Sequence, residues 1–310
     1  MKVQFDPDKR IYGILYAATT ALCWGFLAVM IKVALNSVPP MMVVWFRFAV
    51  AFSIMFTYFL ITDRKKLKIF IKPPFLLIVA ALGLVANYIG FAIGVDLTSP
   101  GNAQIFIQLG PMILAAVGII FFQERLSFRQ FLGFVVAGTG LIFFYRDQLS
   151  GMLGSEDVYI AGVIWLIMAA ITWAVYASLQ KKLVEKHAPQ ELNMFIYGLP
   201  LILLIPYVSA QSFTDLGPMM WILLIALGIN TVVAYGCLAE AFRYLEANKI
   251  SVIITLNPIL TFIIMMTLSA MDVSWIKGEH LSSYGYGGAA LVLAGAIMVV
   301  IPKKGFKKEA

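Results

Sequence analysis

Apolar residues run along this chain in blocks of about twenty, separated by short polar or charged breaks. As an α-helix, a block of that length spans about 30 Å, the thickness of a bilayer's hydrocarbon core. The pattern predicts ten such helices, near residues 11–34, 40–61, 74–94, 101–122, 128–145, 158–180, 191–210, 218–241, 250–271 and 284–302. Connections between them are short, and none is long enough for a separate soluble domain. The expected fold class is all-α integral membrane.

The pattern is written twice. With Pro111 set on Pro258, a shift of 147, Tyr88 falls on Tyr235, Gln104 on Ser251, Gln108 on Thr255 and Gly110 on Asn257. Further on, Glu124-Arg125-Leu126-Ser127 recurs as Glu279-His280-Leu281-Ser282, with Gly133 and Gly140 matched by Gly288 and Gly295. The second copy carries 8 extra residues, near 270–278, which lengthen an outer loop or alter an external gate. Five helices per copy is an odd number, so the copies enter the membrane from opposite sides. Two inverted five-helix repeats are expected, with a pathway between them and alternating access if they exchange conformations.

Composition agrees with the pattern. The chain is 61% hydrophobic and 13% charged, where a soluble domain carries about 25% charged residues. The bilayer, rather than a large core, absorbs this apolar surface. The net charge of +7 needs no nucleic acid, because nearly all of the 23 lysines and arginines fall on one face of the ten-helix arrangement. Arg146 and Lys277 lie on the other face, and Lys32 and Arg47 lie within spans. The positive-inside rule then puts both termini in the cytoplasm. The first apolar run is longer than a signal-peptide core of roughly 7–15 residues and is expected to be an uncleaved membrane helix. Cys23 and Cys237 sit in apolar runs without metal-ligand spacing, so they indicate neither a disulfide framework nor a redox site.

The residues that carry this repeat resemble the drug/metabolite transporter superfamily, in its ten-helix EamA type. They are Ala21-Leu22-Cys23-Trp24-Gly25, Arg47, Pro111, the stretch from Glu124 to Gly133, Gly138 and Gly140, and in the second copy Trp173-Ala174, Pro258 and Glu279 to Ser282 with Gly288 and Gly295. The resemblance covers nearly the whole chain. It implies a first repeat over 1–146, a second over 158–303 and a basic cytoplasmic tail over 304–310. It further implies a multi-pass carrier of the inner membrane, often an exporter of amino acids, metabolites or drugs.

Candidate substrate residues follow from polar or aromatic side chains inside the spans. Gln104 and Gln108 share one helix face, Ser251 and Thr255 are their repeat mates, and Asn257 is adjacent. Amides facing lipid would cost several kcal/mol, so this set should face the bundle interior, either binding substrate or bonding between helices. Trp24, Trp173, Tyr176, Asn87, Tyr88 and Tyr235 form an aromatic and amide group suited to an uncharged or zwitterionic solute. Pro111 and Pro258 are hinge candidates. Each frees the carbonyl four residues earlier, Ile107 and Ile254, for a kink or a substrate contact. Lys32 can snorkel outward. Arg47, about 10 Å inside its helix, either attracts an anion or holds carbonyls at a gate.

No carboxylate is expected deep in a span; Glu240, near Arg243 and Lys249, comes nearest, so obligatory proton coupling through a buried acid is not expected. Glu124 and Glu279 are expected to complement the dipoles of the helices that follow them. An enzyme is not expected, since no nucleophile, base or metal constellation lies in the spans. Charge rings and filter sequences of a channel are missing too. No cofactor is expected. The partners expected are a small-molecule substrate and the lipid bilayer, with the chain acting as a monomer or homodimer. The function expected is a carrier that exports or exchanges small metabolites such as amino acids or amphipathic organic compounds. The alternative is a carrier for anionic solutes, organic or sugar phosphates or organic acids, that uses Arg47 and Lys32.

Overall fold

The computed structural model describes residues 9–124, 126–144, 146, 157–214, 216–271, 273 and 282–300. Its helices are α1 (Arg10–Leu35), α2 (Pro40–Thr62), α3 (Phe75–Leu97), α4 (Pro100–Ile107), α5 (Leu109–Ile120), α6 (Phe128–Phe144), α7 (Asp157–Leu183), α8 (Pro189–Leu204), α9 (Pro218–Tyr244), α10 (Ala247–Ile254), α11 (Asn257–Ala270) and α12 (Ser283–Val300). No strand occurs among the described residues. Pro40, Pro100, Pro189 and Pro218 open α2, α4, α8 and α9, where the missing N–H has no intrahelical partner to lose.

Seven helical stretches among the described residues are long and apolar enough to cross a membrane, counting α4–α5 and α10–α11 as one each. The chain is therefore a multi-pass membrane protein. Of the other helices, α6 and α12 are described over 17 and 18 residues, while α8, with 16 residues, is shorter than expected from the sequence. α8 ends early because Ile205-Pro206-Tyr207 tightens into a 3-10 turn, where Pro206 has no N–H to continue the helix. The expected outer loop at 270–278 lies almost entirely outside the described residues, as do Arg125 and Glu279 to Leu281.

The two long apolar spans that contain Pro111 and Pro258 are each broken. α4 gives way to α5 at Gln108, and α10 gives way to α11 at Thr255-Leu256, three or fewer residues before each proline. The proline cannot donate to the carbonyl of the previous turn, so the helix loses its register there. Among the described residues no donor reaches the Ile107 or Ile254 carbonyl.

Packing is closest between α3 and α7, between α1 and α9, and between α6 and α12, while α2 lies against α8 and α9. The main core runs through α1, α2, α3, α7, α8 and α9. α6 and α12 stand outside it and meet through glycines. A Cβ on Gly133 would come within 2.9 Å of the Gly295 carbonyl oxygen, and one on Gly140 within 2.8 Å of the Gly288 carbonyl oxygen. Only glycine admits backbones this close, as at other membrane helix crossings. The outer faces carry large exposed apolar side chains such as Ile61, Phe128 and Ile202, a surface fit for lipid rather than water.

Candidate functional site

α4–α5 and α10–α11 come together at their breaks, and a cavity lies between them. Its walls are Trp24 and Leu27 from α1, Arg47 from α2, Asn87, Tyr88 and Phe91 from α3, and Gln104, Ile107, Gln108 and Pro111 from the first broken span. Trp173 from α7, Tyr235 from α9, and Ile254 and Asn257 from the second broken span complete it. Its volume is about 50 Å³, counted as room for the centres of water molecules. Since one water needs roughly 10–15 Å³ on that measure, the cavity in this conformation holds a handful of waters.

The aromatic wall is interlocked. Trp24 meets Trp173 edge-on at 5.7 Å between ring centroids and Tyr235 at 5.4 Å. Tyr235 in turn contacts Tyr88 and Tyr176, each at 5.6 Å. Tyr176 is fully buried behind Tyr235 and does not line the cavity. Such edge and offset contacts, about 0.5–1.5 kcal/mol each beyond area burial, fix the wall while leaving ring faces and edges for a solute.

The amides are partly engaged. Gln104 Nε2 donates to Thr261 Oγ1 at 3.2 Å and to the Trp24 carbonyl at 3.4 Å. Gln108 Nε2 donates to Asn257 Oδ1 at 3.1 Å, which ties the two broken spans to each other. Asn87 Nδ2 donates to the Ala169 carbonyl at 2.9 Å. Gln104 Oε1, Gln108 Oε1 and Trp24 Nε1 are buried with no hydrogen-bond partner. An orphaned buried polar atom costs about 1–3 kcal/mol, and these three belong to cavity-lining side chains.

Ser251 and Thr255 are buried as expected but do not reach the cavity. Their hydroxyls donate to their own helix, Ser251 to the Ala247 carbonyl at 2.8 Å and Thr255 to the Val252 carbonyl at 2.6 Å. A short hydroxyl finds an i−3 or i−4 carbonyl before it finds a distant partner. Pro258 is also off the cavity, while its mate Pro111 is on it.

Arg47 is 2% exposed. Its guanidinium lies over the Tyr88 ring, 4.2 Å from the centroid, and Nε donates to Thr231 Oγ1 at 3.3 Å. Thr231 also accepts from the Tyr88 hydroxyl at 3.3 Å and donates to the Leu227 carbonyl at 3.0 Å, so its one donor and two acceptor positions are filled. Neither a carbonyl cluster nor a carboxylate holds the guanidinium among the described residues. Thr231 gave no sign in the sequence, since a threonine in an apolar helix is common; only its place one turn before Tyr235 puts it on the same face. Lys32 donates to the Val95 and Asp96 carbonyls at 3.1 and 3.0 Å, away from the cavity.

Glu124 corrects one expectation. It does not serve the helix that follows it. That helix, α6, is capped by Ser127 and Gln130, with Gln130 N–H donating to Ser127 Oγ at 3.3 Å and Ser127 N–H to Gln130 Oε1 at 3.0 Å, a capping box. Gln123, with φ of 52°, turns the chain in a left-handed conformation and sends Glu124 to the start of α10. There its carboxylate accepts from the N–H groups of Ala247 and Asn248 at 2.7 and 3.0 Å. It also pairs with Lys181 at 3.2 Å, both side chains being less than a tenth exposed. Lys181 donates further to the Leu245 carbonyl at 3.2 Å. The α10 N-cap is Glu246, which makes no cap of its own; the bond from elsewhere replaces it. Burial alone would raise the Glu246 carboxyl, but its hydrogen bond and charge pairing with Lys249 outweigh this and hold it below the usual carboxylate range.

Glu240 lies near the same end of the bundle, paired with Arg243 at 3.2 Å and contacted by Gln190, and it does not line the cavity. No group of three or more His, Cys, Asp or Glu is placed to hold a metal among the described residues.

This arrangement of apolar spans, paired breaks and a mainly apolar pocket with a few polar groups meets its relatives at the level of the whole chain. The EamA-like transporter family model matches it twice, over residues 11–146 and 160–301. The chain belongs to the EamA-like transporter family. It is 33% identical over 293 residues to the uncharacterized inner membrane transporter YhbE of Escherichia coli K12, covering 93% of this chain and 91% of that one. An uncharacterized transporter of Haemophilus influenzae is 28% identical over 300 residues, covering 96% and 97%. A probable amino-acid metabolite efflux pump of Escherichia coli K12 is 23% identical over 304 residues, covering 93% and 94%. A crystal structure with a TM-score of 0.72 and 18% identity covers 92% of this chain and 95% of that one, which shows the shared fold. This EamA-like chain is thus a membrane transporter, and its cavity is the candidate place for the transported solute.

Proposed function

We propose that the chain carries a small organic metabolite, of the size of an amino acid, across the inner membrane by alternating access between two inverted five-helix repeats. One observation carries this reading: the paired helix breaks of the two halves meet at a cavity lined by both halves. Broken spans at corresponding positions are where carriers of this kind place substrate, because unwound backbone and polar side chains are tolerated in a membrane only where they line a cavity.

The repeat reading, with halves at 1–146 and 158–303, draws support from the packing. Gly133 meets Gly295 and Gly140 meets Gly288, so each glycine faces the repeat mate of the other, the crosswise contact expected at a two-fold axis. The same reciprocity relates α3 on α7 to α1 on α9. The family model also matches once per half. The apolar blocks of the sequence support ten spans, and the basic residues support cytoplasmic termini by the positive-inside rule. The named activity of the probable efflux pump favours an amino-acid-like solute and outward transport.

In this mechanism the Glu124–Lys181 pair and the capped start of α10 are a latch. Glu124 belongs to the first half, and Lys181 and α10 belong to the second. Opening the cavity toward that end requires these bonds to part, while the opposite end closes. The site residues in the proposal are Trp24, Arg47, Asn87, Tyr88, Gln104, Gln108, Trp173, Tyr235 and Asn257, with Pro111 and Pro258 at the bends. A second reading, a carrier for organic or sugar phosphates or organic acids, is favoured by the buried Arg47 alone.

The test is exchange in sealed proteoliposomes, with labelled amino acids, amines and organic anions offered to the wild type and to Trp24→Ala and Gln108→Ala. Selective exchange that both variants lose supports the site. Exchange that both retain places the solute elsewhere.

A further inference from the structure

We infer that Arg47 is the anion-recognition residue of the cavity, and that the substrate presents to it one singly charged carboxylate while offering a hydrogen-bond donor to Gln104 and Gln108. This inference rests on the carrier reading above and says what the same cavity selects.

A guanidinium is always protonated in proteins, and a buried charge is costly unless it is paired. Arg47 is 2% exposed, lines the cavity, and has a ring face and one hydroxyl as its partners within the chain. Cation–π contact contributes about 2 kcal/mol when desolvated, well short of a buried charge's desolvation, which is several kcal/mol per ion. The terminal Nη groups make no hydrogen bond within the chain among the described residues. A planar fork of this kind matches a carboxylate in bidentate geometry.

Next come the other orphans. Trp24 Nε1 is a donor only, and it is buried without an acceptor on the same cavity wall. It can share a carboxylate with Arg47. Gln104 Oε1 and Gln108 Oε1 are acceptors without donors. The Gln104 orientation is fixed, because its Nε2 faces the Trp24 carbonyl, which can only accept. These oxygens suit an ammonium, amine or hydroxyl and oppose a second anionic group. The cavity thus has one cationic locus and one electronegative locus.

The same inventory excludes other charge classes. No Asp or Glu lines the cavity, so a solute of net positive charge meets Arg47 with nothing to balance it. Lys32, the other cation within a span, is bound to carbonyls at the end of α3 and is not on the cavity. A phosphate monoester, a dianion near neutral pH, would find a single counter-charge and two opposing amide oxygens.

The test uses full-length protein in proteoliposomes. The probes are a panel of labelled zwitterionic amino acids, their carboxamides, and phosphate monoesters. The wild type is compared with Arg47→Gln, Arg47→Lys and Trp24→Phe at matched incorporation. The expected result is exchange of amino acids at least about 30-fold faster than of their amides, with that ratio collapsing in Arg47→Gln, since truncating one partner of a buried charge pair typically has an effect of that order or more. Arg47→Lys should keep the preference for acid over amide at a raised KM, whereas a residue needed only for packing would change stability and leave the ratio alone. Amides exchanged as fast as acids, or an acid-to-amide ratio untouched in Arg47→Gln, overturns the inference and leaves the carrier standing. Phosphate monoesters exchanged in preference to amino acids overturn the single-carboxylate assignment. No exchange of any member overturns the carrier reading, and this inference falls with it.

Discussion

Arg47 and Lys181 are both cations buried in the helical bundle, and the chain treats them in opposite ways. Lys181 sits against Glu124, which also holds two N–H groups of α10, and donates to a carbonyl as well. Arg47 has an aromatic face and a threonine and no carboxylate among the described residues. The first site is complete without any other molecule. The second is complete only when something anionic arrives. The contrast separates the part of the fold that holds a conformation from the part that receives a solute.

This comparison can be broken by mutation. The largest effect on stability is expected from Glu124→Ala, which removes the carboxylate that faces the buried Lys181 and uncaps α10. Removing one partner of a buried pair costs about 3–5 kcal/mol, visible as a lowered thermal midpoint in detergent. The double variant Glu124→Ala with Lys181→Met should recover a good part of that loss, because removing both charges is far cheaper than stranding one. By the same logic Arg47→Gln should leave the midpoint unchanged or raised while it abolishes charge selection. A midpoint that drops in Arg47→Gln as far as in Glu124→Ala would erase the distinction.

The next effect is at the outer helix pair. Gly140→Ala places a Cβ within 2.6 Å of Val292 N, so α6 and α12 must separate. A loss of about 1–3 kcal/mol is expected, read as a lower midpoint with exchange reduced in proportion to folded protein. A smaller effect on flux comes from Trp24→Phe, which keeps the ring contacts and removes the orphaned N–H. A fall of about tenfold is expected, corresponding to one hydrogen bond. Ser251→Ala should be the mildest, within about 0.5 kcal/mol and with unchanged flux, since its hydroxyl is spent on its own helix. A large flux defect there would return Ser251 to the site.

Much of the cavity was legible in the sequence for one physical reason. In a chain of apolar spans, an amide, an indole or a guanidinium stands out, and lipid forces it inward. Trp24, Arg47, Asn87, Tyr88, Gln104, Gln108, Trp173, Tyr235 and Asn257 are found together on that ground. The helix breaks were legible too, because proline removes a backbone bond wherever it sits. The repeat misled at Ser251 and Thr255: pairing them with Gln104 and Gln108 assumed a symmetric pocket, and a short hydroxyl does not reach where a glutamine does. Leu27 and Phe91 could not be told from other apolar residues. The partner of Glu124 was hidden for a different reason, since it bonds to backbone N–H groups of α10, and backbone leaves no mark in a sequence.

In this mechanism the two halves must move apart at the latch for the solute to pass. Gly118 on α5 and Ala247 on α10 allow a test, because a Cβ at Gly118 would lie 3.3 Å from the Ala247 Cβ, close to the roughly 3.5–4.5 Å of a disulfide; the same Cβ would come within 2.7 Å of Glu124 Oε2, so that carboxylate must shift and the reduced protein is the reference for the oxidised one. The protein would carry Gly118→Cys and Ala247→Cys, with Cys23 and Cys237 replaced by alanine. Exchange of labelled amino acid in proteoliposomes is measured oxidised and then reduced. Oxidation is expected to stop exchange, and reduction to restore it in the same vesicles. Full exchange by quantitatively cross-linked protein would contradict this mechanism.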